Sequence, residues 1–222
     1  MAYLLCLETS GTNCSVSIIE NQELISYKEQ NTSEFSHSEK LHIFIEETLK
    51  NANIKPSDLS AIAVSSGPGS YTGLRIGVSS AKGLCFALNI GLIVIPTLSI
   101  LVENIKEIND FQYIIPMLDA RRMEVFSAVF DKEKKQIRNT QAEILTDSSF
   151  EEYLSKGKTL FLGNGSDKFS EICSHPNAHF LKGQFPSATQ MNKLAFEKFS
   201  ENQFENVAYF EPFYVKNVYF GS

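Results

Sequence analysis

Short apolar runs separated by polar turns fill the first thirty positions of the chain. Tyr3–Leu7 is one run, and Cys14–Ile19 alternates, with Val16 and Ile18 on one side. The Asn21-Gln22 turn then leads into Glu23–Lys28, so the spacing predicts a meander of three strands. From His37 to Asn51 the period changes: Leu41, Ile45 and Leu49 recur every four residues with Phe44 and Thr48 alongside, which predicts a helix. Pro56-Ser-Asp58 breaks that pattern, and Leu59–Val64 reads as a strand. A corner rich in glycine follows, Ser65-Ser-Gly-Pro-Gly-Ser-Tyr-Thr-Gly-Leu-Arg-Ile-Gly77. Ser70 or Thr72 is placed to cap a helix reaching about Leu88. Ile90–Ile95 predicts a strand, and Thr97, after Pro96, caps a helix expected to run to Ile108.

The order of elements then repeats. Tyr113–Leu118 predicts a strand ending in Asp119, and Glu124–Phe130 and Gln136–Ile144 predict strands around the charged turn Asp131-Lys-Glu-Lys-Lys135. Thr146–Leu154 predicts a capped helix, Thr159–Leu162 a strand ending in Gly163-Asn-Gly165, and Ser187–Glu201 a further helix. Each half reads strand, strand, strand, helix, strand, helix, with a carboxylate just past its first strand: Glu8 in one half, Asp119 in the other. A duplicated βββαβα unit of this kind predicts a two-lobed α/β fold of the actin, hexokinase and Hsp70 type. The lobes are placed at residues 1–108 and 109–222, with the C-terminal tail expected to pack back on the first.

Charge and composition narrow the chemistry. Asp plus Glu exceeds Lys plus Arg, 26 against 20, for a net charge of −6. A chain that gripped RNA by itself would be basic, so any nucleic-acid role needs a partner. The four cysteines (6, 14, 85 and 173) form no CxxC pair, which predicts free thiols in a reducing cytoplasm. No apolar run is long enough to span a bilayer, and no charged segment precedes the N-terminal one, so neither secretion nor a membrane anchor is expected.

Candidate chemistry is sparse. The glycine corner fits neither the Walker pattern nor the dinucleotide fingerprint. A tight turn with close helix packing is its simpler reading, and a ligand loop at a helix N-terminus is the other. Metal ligands on a helix must lie three or four residues apart. His37 and His42 are five apart, about 140° around the helix; His175 and His179 are separated by Pro176, which reads as loop. Glu8 and Asp119 could pair for general acid–base work, or each could simply cap a turn. Arg121 and Arg122 are placed to hold a phosphate or to form surface ion pairs. No Gly-x-Ser-x-Gly nucleophile elbow is present. Gly73 and Gly77, four apart, with Ser79, Ser80, Ala81 and Gly83 beyond them, would let a second helix approach closely. One face of this helix is expected to pack on the chain's own sheet, and these small residues serve either that packing or, with Arg75, Ile76 and Ser79 on the other face, a second subunit; on the second reading Gly77→Leu would abolish pairing and leave the fold soluble.

Several strings taken together resemble one family: Leu7-Glu-Thr-Ser10, His37-Ser-Glu-Lys-Leu41, Ser66-Gly-Pro-Gly-Ser-Tyr-Thr-Gly-Leu-Arg-Ile-Gly77, Ala81-Lys-Gly-Leu84, Asp119-Ala-Arg-Arg-Met-Glu-Val125 and Gly163-Asn-Gly165. They resemble the TsaB (YeaZ) family, over most of the chain and most strongly from Ser66 to Leu84. The pattern departs at Glu8 (often Asp), Met123 (often Gly), Asn164 (usually Asp) and Lys216 (commonly Arg). The resemblance implies a non-catalytic subunit that dimerises with and activates the catalytic subunit TsaD in placing threonylcarbamoyl on adenosine 37 of tRNA. It also implies the ATPase TsaE as a third member, a homodimer in isolation, and contact with tRNA only through the complex. The partner interface implied is His37, Leu41, Phe44 and Ile45 on one helix with Tyr71, Thr72, Gly73, Leu74, Arg75, Ile76, Gly77, Ser79 and Ser80 on the next. Neither a catalytic residue, a metal nor a resident cofactor is expected. A nucleotide at the boundary between subunits is compatible with this, with Glu8, Ser10, Asp119, Arg121, Gly163 and Gly165 as candidate contacts. Two other classes stay open: a metal-dependent small-molecule phosphotransferase of the same superfamily, and a self-contained homodimeric binding protein.

Overall fold

A computed structural model describes residues 2–32, 37–108 and 110–216. The predicted meander is present as β1 (Tyr3–Glu8), β2 (Asn13–Glu20) and β3 (Glu23–Asn31). It is followed by α1 (His37–Ala52), β4 (Leu59–Ser65), α2 (Tyr71–Leu88), β5 (Gly91–Ile95) and α3 (Thr97–Glu103). The strands form one sheet in the order β3-β2-β1-β4-β5. β1 is antiparallel to β2, with Leu7 opposite Val16, and parallel to β4, with Leu7 opposite Val64. The second set is β6 (Tyr113–Asp119), β7 (Glu124–Asp131), β8 (Gln136–Ile144), α4 (Glu151–Leu154), β9 (Thr159–Leu162), α5 (Ser166–Ser170), β10 (Ala178–Leu181) and α6 (Asn192–Ser200). Its sheet runs β8-β7-β6-β9-β10, the same order again. Duplication that leaves no trace in residue identity is plain in the strand order, and this is the doubled actin/hexokinase-type α/β fold. Glu8 and Asp119 are each the last residue of the first strand of their sheet.

Contacts divide the chain into Met1–Ile100 with Pro186–Phe213, and Leu101–Phe185 with Tyr214–Ser222. This partition differs from residues 1–108 and 109–222 because α6 joins the first unit. Met191 and Ala195 are fully buried beside Leu4, Cys6, Ala61, Ala63, Ile93 and Ile95, covering one face of the first sheet. The opposite face packs Leu41, Phe44, Ile45 and Leu49 of α1 and Val78, Ala81 and Cys85 of α2 against Leu5, Leu7, Val16, Ile18, Ile62 and Val64. Burying each of the Val, Leu, Ile and Phe side chains is worth about 1.5–3 kcal/mol, so this face carries much of the unit's stability. In the second unit Phe150, Phe161 and Phe169 form a triangle of edge-to-face rings, 5.0–5.6 Å between centroids.

Local chemistry sets the ends of several elements. Ser70 caps α2, its Oγ accepting the Gly73 N–H at 3.2 Å, and Asn89 ends the helix in the left-handed region at φ 53°. α3 stops at Glu103 rather than Ile108, because its last turn tightens: Asn104 and Ile105 donate to Leu101 and Val102, three residues back. The helix expected over 146–154 shrinks to α4. Thr146, Ser148 and Ser149 bond among themselves, and Phe150 sits at φ 63° to reach the core. The helix expected from Ser187 opens as a 3-10 turn, Ala188–Gln190, before α6. β10 and α5, four and five residues long, are too short to show a period; the segment around His175–His179, read as loop, holds the start of β10. Among the described residues, no helix is long and apolar enough to cross a membrane.

Candidate functional site

The glycine corner is built for close packing within the first unit. A Cβ on Gly73 would collide with the carbonyl oxygen of Thr9, and one on Gly77 with the Thr9 hydroxyl. Thr9 Oγ1 in turn donates to the Gly73 carbonyl at 2.7 Å. A Cβ on Gly69 would meet Ser10, while Ser70 donates its N–H to Ser10 O at 2.7 Å. Gly67, at φ 109°, lies against the backbone of Phe213, whose N–H donates to Ser66 O at 2.7 Å. The corner therefore lets α2 press directly on the end of β1. This corrects the partner-facing placement of Gly73 and Gly77: both are buried, and their close neighbour is this chain's own Thr9.

Glu8 sits beneath that corner with no solvent exposure, as does Thr9; Ser10 is 2% exposed. Glu8 Oε1 accepts the Ser10 N–H at 2.5 Å. Glu8 Oε2, Ser10 Oγ, Ser65 Oγ and Thr97 Oγ1 are buried without a hydrogen-bond partner. Burial pushes the Glu8 carboxyl up to about 7, and the Ser10 and Ser65 groups beside it pull the other way. As candidate nucleotide contacts, Glu8 and Ser10 are closed off.

At the matching end of β6 the picture is polar and exposed. Asp119 Oδ1 accepts the Arg121 N–H at 2.7 Å and the Lys168 ammonium at 2.8 Å. Asn164 Oδ1 accepts the Asp119 N–H at 3.0 Å. A Cβ on Gly163 would strike the Met117 carbonyl oxygen, and one on Gly165 would lie 2.9 Å from the Leu118 carbonyl carbon and from Val125 Cγ1. Both glycines thus serve packing against β6. Arg121 and Arg122 are exposed. Among the described residues, no group of three His, Cys, Asp or Glu side chains is arranged to hold a metal ion.

The partner-interface set divides. His37 is buried, its Nε2 2.8 Å from the Gly11 carbonyl, and burial lowers its pKa. Leu41, Phe44, Ile45 and Leu74 are buried in the core, so with Gly73 and Gly77 they face inward, because the apolar stripe of each helix is consumed by its own sheet. Thr72, Arg75 and Ser79 are exposed; Tyr71, Ile76 and Ser80 are half-buried. The Arg75 guanidinium stacks over the Tyr71 ring at 4.3 Å, and Ser80 Oγ lies 3.3 Å from His42 Nε2.

Four residues absent from that set, His42, Ile43, Gly83 and Phe86, complete the outer strip. Phe86 is 84% exposed, Ile43 is 53% exposed, and Gly83 has open space where a Cβ would be. Arg75, Ser79, Gly83 and Phe86 follow one another at helical spacing, with His42 and Ile43 of α1 on the neighbouring helix. Two hollows meet at Gly83. One of about 350 Å³ is lined by His42, Ser79, Ser80 and Leu84, the other of about 580 Å³ by Lys82, Phe86, Asn206, Val207 and Ala208. An apolar residue standing off the inward stripe, such as Phe86, was the signal available in the sequence.

The profile of the family described as "TsaD: tRNA N6-adenosine threonylcarbamoyltransferase" matches residues 30–217, most of the chain. The tRNA threonylcarbamoyladenosine biosynthesis protein TsaB of Escherichia coli (strain K12) is 24% identical over 96% of this chain and 94% of its own length. The protein of the same name from Haemophilus influenzae is 26% identical over 96% and 93%. Among solved structures, an uncharacterized Pseudomonas aeruginosa protein with similarity to peptidase YeaZ superposes with a TM-score of 0.85 at 22% identity, covering 97% of this chain and all of that one. The chain belongs to the family of the matching profile and, within it, to the TsaB (YeaZ) family.

Proposed function

We propose that this chain works in tRNA threonylcarbamoyladenosine biosynthesis as a non-catalytic subunit. It docks a TsaD-type catalytic subunit on the outer strip of α1 and α2, is joined there by a TsaE-type ATPase, and pairs with itself through the same strip when alone. It reaches tRNA only through the complex and holds no cofactor of its own. The observation that carries this reading is Gly83. A glycine in the interior of an exposed helix costs roughly 0.5–1 kcal/mol relative to Ala, and among the described residues nothing lies within 4 Å of a Cβ there to require it. Close approach by another helix gives it a reason, and the nearly bare Phe86 ring one turn on supplies an apolar anchor. Two features support the absence of chemistry of its own: Glu8 is sealed from solvent, and Asp119 Oδ1 is taken by two N–H donors.

Purified chain with tRNA and threonylcarbamoyl-adenylate should form no modified adenosine. Adding a TsaD-type enzyme and a TsaE-type ATPase should restore the product, measured by nucleoside mass spectrometry. Product from the chain alone would overturn the reading. Phe86→Ala should weaken association with the catalytic subunit by about 30-fold, the effect of losing an anchor worth ~2 kcal/mol, in a calorimetric titration. Gly83→Ala separates folding from docking: it should stabilise the free chain by about 0.5–1 kcal/mol in urea unfolding while weakening the pair. A Gly83→Ala chain that pairs as well as the parent would remove Gly83 from the interface.

A further inference from the structure

Lys168 lies on α5, just past the Gly163-Asn-Gly165 turn, and its side chain is only 16% exposed. Its ammonium donates to Asp119 Oδ1 at 2.8 Å, to the Arg122 carbonyl at 2.7 Å and to the Glu124 carbonyl at 2.6 Å. An ammonium has three N–H donors, and here all three end on oxygen. The Asp119 and Arg122 distances are those of charge-assisted N–H···O bonds, and the Glu124 one is slightly shorter. Arg122 O belongs to the β6–β7 turn and Glu124 O to the first residue of β7; in the turn Arg121 and Arg122 take φ values of 71° and 49°. Consecutive left-handed residues are unusual outside glycine, asparagine and aspartate. The turn also closes on itself: Ala120 N–H donates to Glu124 O at 3.0 Å, and Glu124 N–H to Arg121 O at 3.1 Å.

We propose that Asp119 Oδ1, Arg122 O and Glu124 O form a primary-ammonium site filled by the chain's own Lys168, and that this bond set holds the Arg121–Arg122 turn in its left-handed form. The fixed ammonium dictates where the Arg122 and Glu124 carbonyls point, and so the peptide planes of the turn. It also occupies Asp119, whose side chain is otherwise 46% exposed. Lys168 is thus a positioning residue: the turn presents both arginine side chains to solvent with the neighbouring carboxylate already engaged. The inference concerns the second unit alone and stands whether or not the chain docks a catalytic subunit.

Chemical rescue in the full-length protein tests it. Lys168→Ala deletes three methylenes and the ammonium, which together are n-propylammonium. In ¹⁵N-labelled Lys168→Ala, the amide resonances of Arg121, Arg122 and Glu124 should move from their parental positions. Millimolar n-propylammonium should return them along a saturating curve, whereas tetramethylammonium, which has no N–H, should not. Lys168→Met, which keeps the stem, should show the same shifts without rescue. Parental resonances in both variants, or equal effects of the two ammonium ions, would overturn the proposal. Should Lys168→Ala fail to fold, Lys168→Met decides: shifted turn amides support the site, and unshifted ones remove it.

Discussion

Glu8→Gln should leave the chain about 3 kcal/mol more stable than the parent above pH 7 and almost unchanged at pH 4.5. The carboxyl titrates near 4.5 in the unfolded chain and at about 7 when folded, because burial disfavours its charged form. Between those values the folded state binds more protons than the unfolded one, so the parent's stability is full below about pH 4.5 and falls as pH rises toward 7. A difference of roughly 2.5 pH units corresponds to about 3 kcal/mol at 1.36 kcal/mol per unit. Gln keeps an oxygen for the Ser10 N–H and stays beside the Ser10 and Ser65 side chains without carrying a charge. Urea unfolding of both proteins at pH 4.5, 6 and 8 measures the effect. A gain that is the same at all three values, or a loss at pH 8, would show that the carboxyl is not destabilised by burial.

A stabilising substitution at such a position implies that the carboxylate is not there for the fold. Glu8 and Asp119 occupy equivalent strand ends in two sheets of identical order, yet their surroundings have diverged. One is sealed under Thr9, Ser10 and the α2 corner; the other is exposed and engaged by Lys168 and a turn amide. The sequence shows two carboxylates after two apolar runs and nothing of this divergence. It arises from residues far apart along the chain: Lys168 lies 49 positions from Asp119.

The same division runs through the rest of the chain. Strands β1 to β9 and helices α1 and α2 were legible because their apolar periods are long enough to count and their ends carry Ser, Pro, Asn or Gly. α5 and β10 were not, since four or five residues have no period and are held by their neighbours: β10 pairs along β9 from Ala178 to Leu181. The placement of α6 in the first unit is likewise invisible in an amphipathic pattern, which says that a face is buried and not against what. For α1 and α2, the sequence located the elements but mixed residues of both faces in one set: Thr72, Arg75 and Ser79 are exposed, whereas Leu41, Phe44, Ile45, Gly73, Leu74 and Gly77 are buried. Leu41, Phe44, Ile45 and Leu74 satisfied the rule for an apolar stripe, and such a stripe serves the chain's own sheet first. The residues that break the stripe, Ile43, Gly83 and Phe86, are the exposed ones.

Gly77 tests the inward placement most sharply. If Gly77 faced a partner, Gly77→Ala would leave the free chain intact and weaken pairing alone. The structure instead sets the α carbon of Gly77 against Thr9, with Val64 Cγ2 3.5 Å from any added Cβ. Thr9 cannot yield easily, because it is β-branched, fully buried and bound through its hydroxyl to the Gly73 carbonyl. Gly77→Ala must therefore push α2 off the sheet or break that bond. Overpacking of this kind costs about 1–3 kcal/mol, set against the ~1 kcal/mol that Ala contributes through helix propensity. A net loss of up to about 2 kcal/mol is expected for Gly77→Ala, and a chain that does not fold for Gly77→Leu. Thr9→Ser in the Gly77→Ala background removes one methyl and frees the hydroxyl to rotate, so it should recover part of the loss, and that coupling should appear in a double-mutant cycle. Additive effects of the two substitutions would separate Gly77 from Thr9, and full stability of Gly77→Leu would return the glycine to the outer surface.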